Sequence, residues 1–188
     1  VASGDSSEIS EKMQKEFNIL KLIEGYRTRG HLFTKTNPVR DRRVHGPSLA
    51  LENFGLSQAD LNTVFDAAKM VNMKPSTLAD ILKHLENVYC QSIGVEFMYI
   101  RDPKVQDWIK NRLDINDNQP NFSADQKKHI LKKLNEAVSF ENFLHTKYVG
   151  QKRFSLEGCE AVIPALDALV EAAADKGVEQ FVMGMAHR

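Results

Sequence analysis

The chain closes with Glu179-Gln-Phe-Val-Met-Gly-Met-Ala-His-Arg188, and this stretch decides the predicted fold. The apolar run at residues 181–183 predicts a buried strand. Gly184 follows it directly, and His187 and Arg188 come three and four residues after this glycine. In an open α/β sheet, ligand-binding groups gather at the carboxyl ends of strands. An imidazole there can exchange a proton with a ligand near neutral pH. We therefore expect His187 to lie in an active-site loop of a truncated enzyme; the alternative is a loop histidine bonded to backbone.

The composition is that of an ordinary globular protein. Apolar residues make up 42% of the 188 residues, and 25 Lys and Arg balance 25 Asp and Glu. Zero net charge argues against nucleic acid as a partner, since that function needs an excess of cations. No apolar run approaches the roughly 18 residues that a bilayer span needs, so no membrane association is expected. Cys90 and Cys159 lack metal-site spacing and are interpreted as reduced thiols.

Apolar periodicity predicts a mainly α chain. Helices are expected over 7–29, from Ser57 to about 68, and over 77–89, 102–113, 123–137, 139–148 and 159–174, with an extended stretch at 91–101. Residues 30–56 form a long loop whose apolar side chains predict order, and we expect this loop to pack on protein outside the chain. The predicted buried positions are Ile9, Met13, Phe17, Leu20, Ile23, Leu61, Val64, Phe65, Ala68, Leu78, Ile81, Leu82, Leu85, Trp108, Ile109, Ile130, Leu131 and Leu134.

Two domains are expected. Residues 1–116 form a helical N-terminal region that includes the loop at 30–56, and residues 117–188 form a helical connector and the truncated start of an α/β domain. The second expectation rests on the order of elements, because an apolar helix followed by a strand is typical of the opening of an α/β domain.

A second candidate site precedes the apolar helix expected at 159–174. Phe154 and Ser155 lie just before it, with Arg153 beside them. The first N–H groups of a helix are unpaired and carry partial positive charge, which favours a carboxylate or phosphate. The alternative is an ordinary helix start, with Phe154 in the core and Ser155 as the cap.

Other groups give weaker signals. The basic run of residues 27–45 predicts either a phosphate-binding patch or a solvated face; its members are Arg27, Arg29, His31, Arg40, Arg42, Arg43 and His45. His84, His129 and His145 share no spacing with acids or cysteines, so no metal site is predicted. Glycine-rich nucleotide loops and the nucleophile elbow of hydrolases do not occur in the sequence.

Four segments together resemble a known family. They are Leu22-Ile-Glu-Gly-Tyr-Arg-Thr-Arg-Gly-His31, Ile93-Gly-Val-Glu-Phe-Met-Tyr-Ile100, Lys152-Arg-Phe-Ser-Leu-Glu-Gly158 and Met183-Gly-Met-Ala-His-Arg188. Their order and spacing are similar to the N-terminal part of the E1 component of 2-oxoglutarate dehydrogenase, from about Lys12 onward. Any one segment alone is a weak signal, whereas the combination is specific.

The resemblance implies a homodimeric oxidoreductase of the citric acid cycle. Such an enzyme decarboxylates 2-oxoglutarate on thiamine diphosphate with Mg²⁺. It passes the succinyl group to dihydrolipoyl succinyltransferase (E2), in a multienzyme complex that also holds dihydrolipoyl dehydrogenase (E3). The resemblance implies that His187 is catalytic and binds substrate, and that Phe154 lines the substrate pocket. It implies a cytoplasmic location in a bacterium, or the mitochondrial matrix in a eukaryote.

The sequence departs from the family pattern in its extent. The Gly-Asp…Asn signature that holds Mg²⁺ and diphosphate in the family is absent, as is the glutamate that activates the cofactor. We therefore expect this N-terminal fragment to bind no thiamine diphosphate and to be inactive by itself. A relative acting on 2-oxoadipate, and a helical protein-interaction module without catalysis, remain as alternatives.

Overall fold

The computed structural model describes residues 4–40 and 48–184, with side chains from residue 11 onward. The chain divides into two compact units, Val1–Pro120 and Asn121–Arg188. The described part is mainly helical, as predicted, with one two-stranded sheet.

The first unit begins with α1 (Gly4–Arg29), which a 3₁₀ helix, Gly30–Phe33, follows directly. The helix is confirmed, but its buried face is offset from the predicted one. Met13 and Phe17 are more than half exposed, whereas Ile19 and Leu22 are fully buried. The reason is tertiary: helix α2 (Leu78–Tyr89) and short 3₁₀ helices pack on α1, and they select which of its apolar positions are covered.

The segment that follows Ser57 is not the predicted helix. It consists of a 3₁₀ helix (Gln58–Asp60), strand β1 (Val64–Phe65) and a second 3₁₀ helix (Asp66–Val71). Strand β1 pairs antiparallel with β2 (Ser76–Thr77), placing Val64 opposite Thr77. The helix that begins at the Ser57 capping box ends after one turn. The backbone hydrogen bonds of the next residues are then made with β2 instead of within a helix. Strand alternation consequently buries Phe65 fully, as predicted, and leaves Val64 half exposed, contrary to prediction.

Much of the loop predicted at 30–56 packs on its own unit. Leu51 lies in a 3₁₀ helix, Leu51–Phe54, and is buried in the core, against which Leu49 and Phe54 also pack. The expectation that these side chains cover protein outside the chain is therefore wrong for them. Val39 is exposed, and residues 41–47 lie outside the described residues.

Two capped helices complete the first unit, α2 (Leu78–Tyr89) and α3 (Pro103–Asp114). The side chains of Thr77 and Asp102 accept hydrogen bonds from backbone N–H groups of the first turns, as expected for N-caps. Trp108, predicted to face the core from α3, is 66% exposed. Residues 91–101 contain no strand, and Phe97 is buried from an irregular backbone.

The second unit contains α4 (Ala124–Lys147) and α5 (Val162–Ala174). Helix α4 is continuous where two helices were predicted, and its capping box at Ser123 and Gln126 is confirmed. Among the described residues of this unit only Pro164 is buried, and Leu131, predicted to be buried, is 66% exposed. Two helices alone do not enclose a core.

The predicted strand at 181–183 is not found. Residues 178–184 belong to no helix or strand, and Val182 and Met183 are 98% and 70% exposed. A strand requires a neighbour for its backbone hydrogen bonds. The described part of this unit, residues 121–184, offers only helices and irregular segments, so the apolar run has nothing to pair with.

Candidate functional site

Phe154 lies on the segment that joins α4 to α5, and its ring is 72% exposed. The Lys152 ammonium stands 5.8 Å from the ring centroid, within the range of a cation–π contact. The alternative in which Phe154 fills the core is therefore wrong. Ser155 is not the cap of α5 either, since that helix begins at Val162 with Ala161 as its N-cap.

One carboxylate of α4 fixes the backbone next to Phe154. An oxygen of Glu141 accepts a hydrogen bond of 2.7 Å from the Leu156 backbone N–H, and the other accepts one of 3.0 Å from the Ser155 hydroxyl. The Leu156 N–H, then the Ser155 hydroxyl and the charge of Arg153, lower the pKa of Glu141. The carboxylate is therefore ionised near neutral pH and holds the segment against α4.

A hollow of about 460 Å³ opens beside this segment. Its lining residues are Glu136, Ala137, Phe140, Glu141, Leu144, Arg153, Phe154, Leu156 and Ile163. The wall is largely apolar, and Arg153 supplies a cation. Glu136 and Glu141 add two carboxylates to the lining, so the hollow suits the aliphatic part of a small ligand, and a ligand carboxylate would have to pair with Arg153.

The other predicted site residue, His187, lies outside the described residues. Its assignment as a catalytic and substrate-binding residue stays a prediction. Sequence patterns also gave no sign of Glu141, because its partners lie fourteen and fifteen residues further along the chain and form no local motif.

The basic run of residues 27–45 does not form one patch in its described part. The Arg27 side chain is 7% exposed and donates a hydrogen bond of 2.7 Å to the Met70 carbonyl, while the Arg29 guanidinium lies 5.8 Å from the Phe54 ring centroid. Arg40 is exposed; Arg42, Arg43 and His45 lie outside the described residues.

Two histidines meet acids that the sequence spacing did not reveal. His84 lies between Asp114 and Asp117, and His129 contacts Asp167 across α4 and α5 at 2.6 Å. Both pairings join distant parts of the chain. Within residues 11–40 and 48–184, no group of three His, Cys, Asp or Glu side chains could hold a metal ion.

Cys90 and Cys159 do not form a disulfide bond. Burial raises the pKa of the Cys90 thiol to about 11, which keeps it protonated and unreactive at neutral pH, whereas Cys159 is exposed. No helix in the described part of the chain is both long and apolar enough to cross a bilayer.

Comparison with known proteins adds an independent observation. The chain is 43% identical over 190 aligned residues to the 2-oxoglutarate dehydrogenase E1 component of Cupriavidus necator, and all of the chain is covered. It is 37% identical to the protein of the same name from Azotobacter vinelandii, and 40% identical to the 2-oxoglutarate dehydrogenase E1/E2 component of Corynebacterium glutamicum, over 97% and 94% of the chain. No protein-family model matches the chain.

The chain spans only part of each relative. It covers 20% of the Cupriavidus and Azotobacter proteins and 15% of the Corynebacterium protein. The similarity therefore concerns a region of these proteins.

Proposed function

Because the chain is homologous over its whole length to a part of 2-oxoglutarate dehydrogenase E1 components, we propose that it is the N-terminal portion of such a component. The observation that carries the proposal is the 43% identity that extends over the full 188 residues. The whole protein would decarboxylate 2-oxoglutarate oxidatively and transfer the succinyl group to the lipoyl group of E2, in the cytoplasm of a bacterium or the matrix of a mitochondrion.

The wider context follows from the same relationship. The full-length protein would be a homodimer that uses thiamine diphosphate and Mg²⁺, in a complex with E2 and dihydrolipoyl dehydrogenase. The names of two relatives, an E1/E2 component and a multifunctional 2-oxoglutarate metabolism enzyme, support a multienzyme setting. Assays of the full-length protein with 2-oxoglutarate and with 2-oxoadipate test whether it prefers the second substrate.

The described residues do not fit the cofactor. They contain no group of three acidic, imidazole or thiol side chains that could hold a metal ion, and the sequence lacks the family's signature for metal and diphosphate. We propose that other regions of the full-length protein hold thiamine diphosphate and that the 188-residue chain neither binds it nor turns over 2-oxoglutarate. Calorimetric titration of the chain with thiamine diphosphate and Mg²⁺ tests this; binding at micromolar concentration would contradict it.

Phe154 is proposed to line the 2-oxoglutarate pocket. Its exposed ring gives the aliphatic part of a dicarboxylate an apolar surface, and Arg153 and Lys152 provide positive charge next to that surface. The Glu141 hydrogen bonds hold this segment in place, so the ring is presented from a fixed backbone. His187 is proposed to exchange a proton with the substrate, a role that suits an imidazole near neutral pH.

The first test is the reading frame of the gene beyond Arg188. The proposal expects a continuation that resembles Gly-Arg-Leu-Asn, followed later by a Gly-Asp…Asn motif. A frame that ends at Arg188, or that continues without these motifs, would favour the helical interaction module. The exposed apolar residues of α4 and α5 agree with either outcome, since both leave those faces to be covered by protein.

The second test uses the full-length protein. Phe154→Ala is expected to raise KM for 2-oxoglutarate about tenfold or more, the scale on which an apolar contact discriminates. His187→Ala is expected to lower kcat by a factor of about 10² to 10⁴, as for loss of a general acid or base. Phe143→Ala, which removes an exposed aromatic ring from α4 outside the hollow, is the matched control and should leave both constants unchanged.

A further inference from the structure

A buried charged cluster in the first unit has no part in the proposed function. His84 of α2 is 10% exposed and stands between two carboxylates, one at each ring nitrogen. Its Nδ1 lies 2.8 Å from an Asp117 oxygen, and its Nε2 lies 3.6 Å from an Asp114 oxygen. The carboxylates belong to the end of α3 and to the turn that follows it.

Only one protonation state of His84 suits both neighbours. A neutral imidazole has a single N–H and presents a lone pair at its other nitrogen, so one of the two carboxylates would face that lone pair. An imidazolium carries an N–H at both nitrogens and a charge that attracts both carboxylates, although at 3.6 Å the Asp114 contact is an ion pair without a hydrogen bond. The arrangement of Asp114 and Asp117 therefore favours the charged ring.

The charges around the ring lead to the same conclusion. Asp114 is 1% exposed, and the nearest fixed cation is Arg27 of α1, whose guanidinium lies 3.9 Å from it. Water screens part of the charge of Asp117, which is 46% exposed, and Arg27 together with a charged His84 balances both carboxylates. The remaining titratable group that faces the cluster, Tyr89, stays neutral because burial raises its pKa to about 12.

The turn held by this cluster has a left-handed backbone. Asp117 and Asn118 have φ angles of +52° and +51°, a region that is costly for most side chains and that Asp and Asn, after glycine, adopt most readily. Two contacts with α2 hold the turn, namely the Asp117–His84 ion pair and a 2.9 Å hydrogen bond from the Asn118 amide to the Val88 carbonyl. The Asn118 backbone N–H also donates to the Leu113 carbonyl at 2.9 Å, so loss of the ion pair leaves the turn hydrogen-bonded within itself but removes one of these two contacts with α2.

We propose that His84, Asp114 and Asp117 form a proton-controlled switch that fixes residues 114–118 to α2 when His84 is charged and releases this turn when the proton is lost. The turn lies just before the unit boundary at Pro120, so the switch sets how firmly this last segment of the first unit is held to α2.

The direction of the pH response follows from the neighbours. The contact with Asp114 first, and then the charges of Asp114 and Asp117, raise the pKa of His84 above its ordinary value of 6.5, and burial opposes this only in part. A group with a raised folded-state pKa contributes stability that is complete below the unfolded-state value and disappears as pH rises through the folded-state value. The switch is therefore closed in mildly acidic solution and opens on alkalinisation.

The test is NMR titration of the isotope-labelled 188-residue chain from about pH 5.5 to about pH 8.5, the range in which histidines titrate. The His84 ring signal is expected to show a midpoint above 6.5, and the backbone amides of residues 116–118 to shift with the same midpoint. Asp117→Asn should lower the His84 midpoint, and His84→Gln should abolish the shifts at 116–118. Asp107→Asn, which removes an exposed charge from α3, is the matched control and should change neither.

Two results would overturn the proposal. One is titration of the amides at 116–118 with an unchanged midpoint in His84→Gln; the other is an unchanged His84 midpoint in Asp117→Asn. If His84→Gln does not fold, Asp117→Asn decides alone, since Asp117 is 46% exposed and its replacement leaves the core intact.

Discussion

Glu141 of α4 holds the backbone N–H of Leu156 at 2.7 Å, across fifteen residues of sequence. The same carboxylate accepts a hydrogen bond from Ser155, the residue after Phe154. An otherwise irregular segment is thereby fixed to a helix, and the exposed Phe154 ring has a defined position. The candidate site depends on this carboxylate as much as on the ring itself.

Replacing Glu141 by alanine is expected to free the segment around Phe154. The Leu156 N–H then loses its acceptor, so its amide should exchange with solvent faster than in the unmodified chain, as measured by hydrogen-exchange NMR. Glu136→Ala is the control, because the Glu136 carboxylate lies at 3.8–3.9 Å from Lys132 and Lys133 and accepts no backbone hydrogen bond among the described contacts. Equal exchange at Leu156 in both variants would contradict the assigned role.

Replacing Arg27 by methionine is expected to destabilise the first unit by about 3 kcal/mol or more, since breaking a buried ion pair leaves its partner charge uncompensated. Asp114 and the Met70 carbonyl both lose a partner in this variant. Urea denaturation gives the free energy of unfolding. Lys69→Ala, which removes an exposed ion pair with Asp66, should cost less than about 1 kcal/mol. Comparable losses of unfolding free energy in the two variants would show that the buried Arg27–Asp114 pair contributes no more to stability than an exposed pair.

The parts of the fold that the sequence predicted are those that local chemistry specifies. Helix α2 has its cap at Thr77 and its buried stripe within twelve residues, and both are as expected. The capping box at Ser123 likewise fixed the start of α4. The failures depend on neighbours distant in sequence. Met13 and Phe17 are exposed because the elements that pack on α1 leave these side chains uncovered, although their spacing is as regular as that of the buried residues.

In the candidate site, too, the sequence predicted local features and missed those that depend on distant residues. The motif around Phe154 located a segment that the structure presents at its surface, yet the element predicted beside it, a strand at 181–183, did not form. An apolar run specifies burial but cannot supply the second strand that its backbone requires. The ion pairs of His84 and His129 were missed because their acids lie about thirty or more residues further along the chain, where no periodic pattern connects them.

Acid is expected to weaken the capping box at Ser57. Hydrogen bonds from Lys15, at 2.8 Å, and then from Ser57 lower the pKa of Asp60. A depressed folded-state pKa gives stability that is present above the unfolded-state value and disappears as pH falls through the folded-state value. Asp60→Asn should therefore cost about 1 kcal/mol near pH 7 and less in acid, the scale of a lost cap. Urea unfolding at both pH values, with Asp107→Asn as control, measures the difference; a cost independent of pH would refute it.

The close approach of α1 to α2 is expected to exclude any side chain at residue 30. Gly30 directly follows α1, and the space available there requires glycine. A Cβ built at this position would lie 2.5 Å from the Tyr89 Cβ and 3.2 Å from the Tyr89 carbonyl oxygen. Because both atoms are held by the backbone of α2, Gly30→Ala should force the two helix ends apart and destabilise the unit by about 1–3 kcal/mol, the usual cost of overpacking.

Gly94→Ala is the matched substitution for this test, because a Cβ there would meet its nearest neighbour, the Thr34 hydroxyl, at an ordinary 3.5 Å. Thermal unfolding followed by circular dichroism compares the two variants with the unmodified chain. Gly30→Ala is expected to lower Tm by several degrees more than Gly94→Ala. Equal decreases in Tm would mean that the end of α2 moves without loss of stability. The packing of Tyr89 against residue 30 would then not restrict that position to glycine.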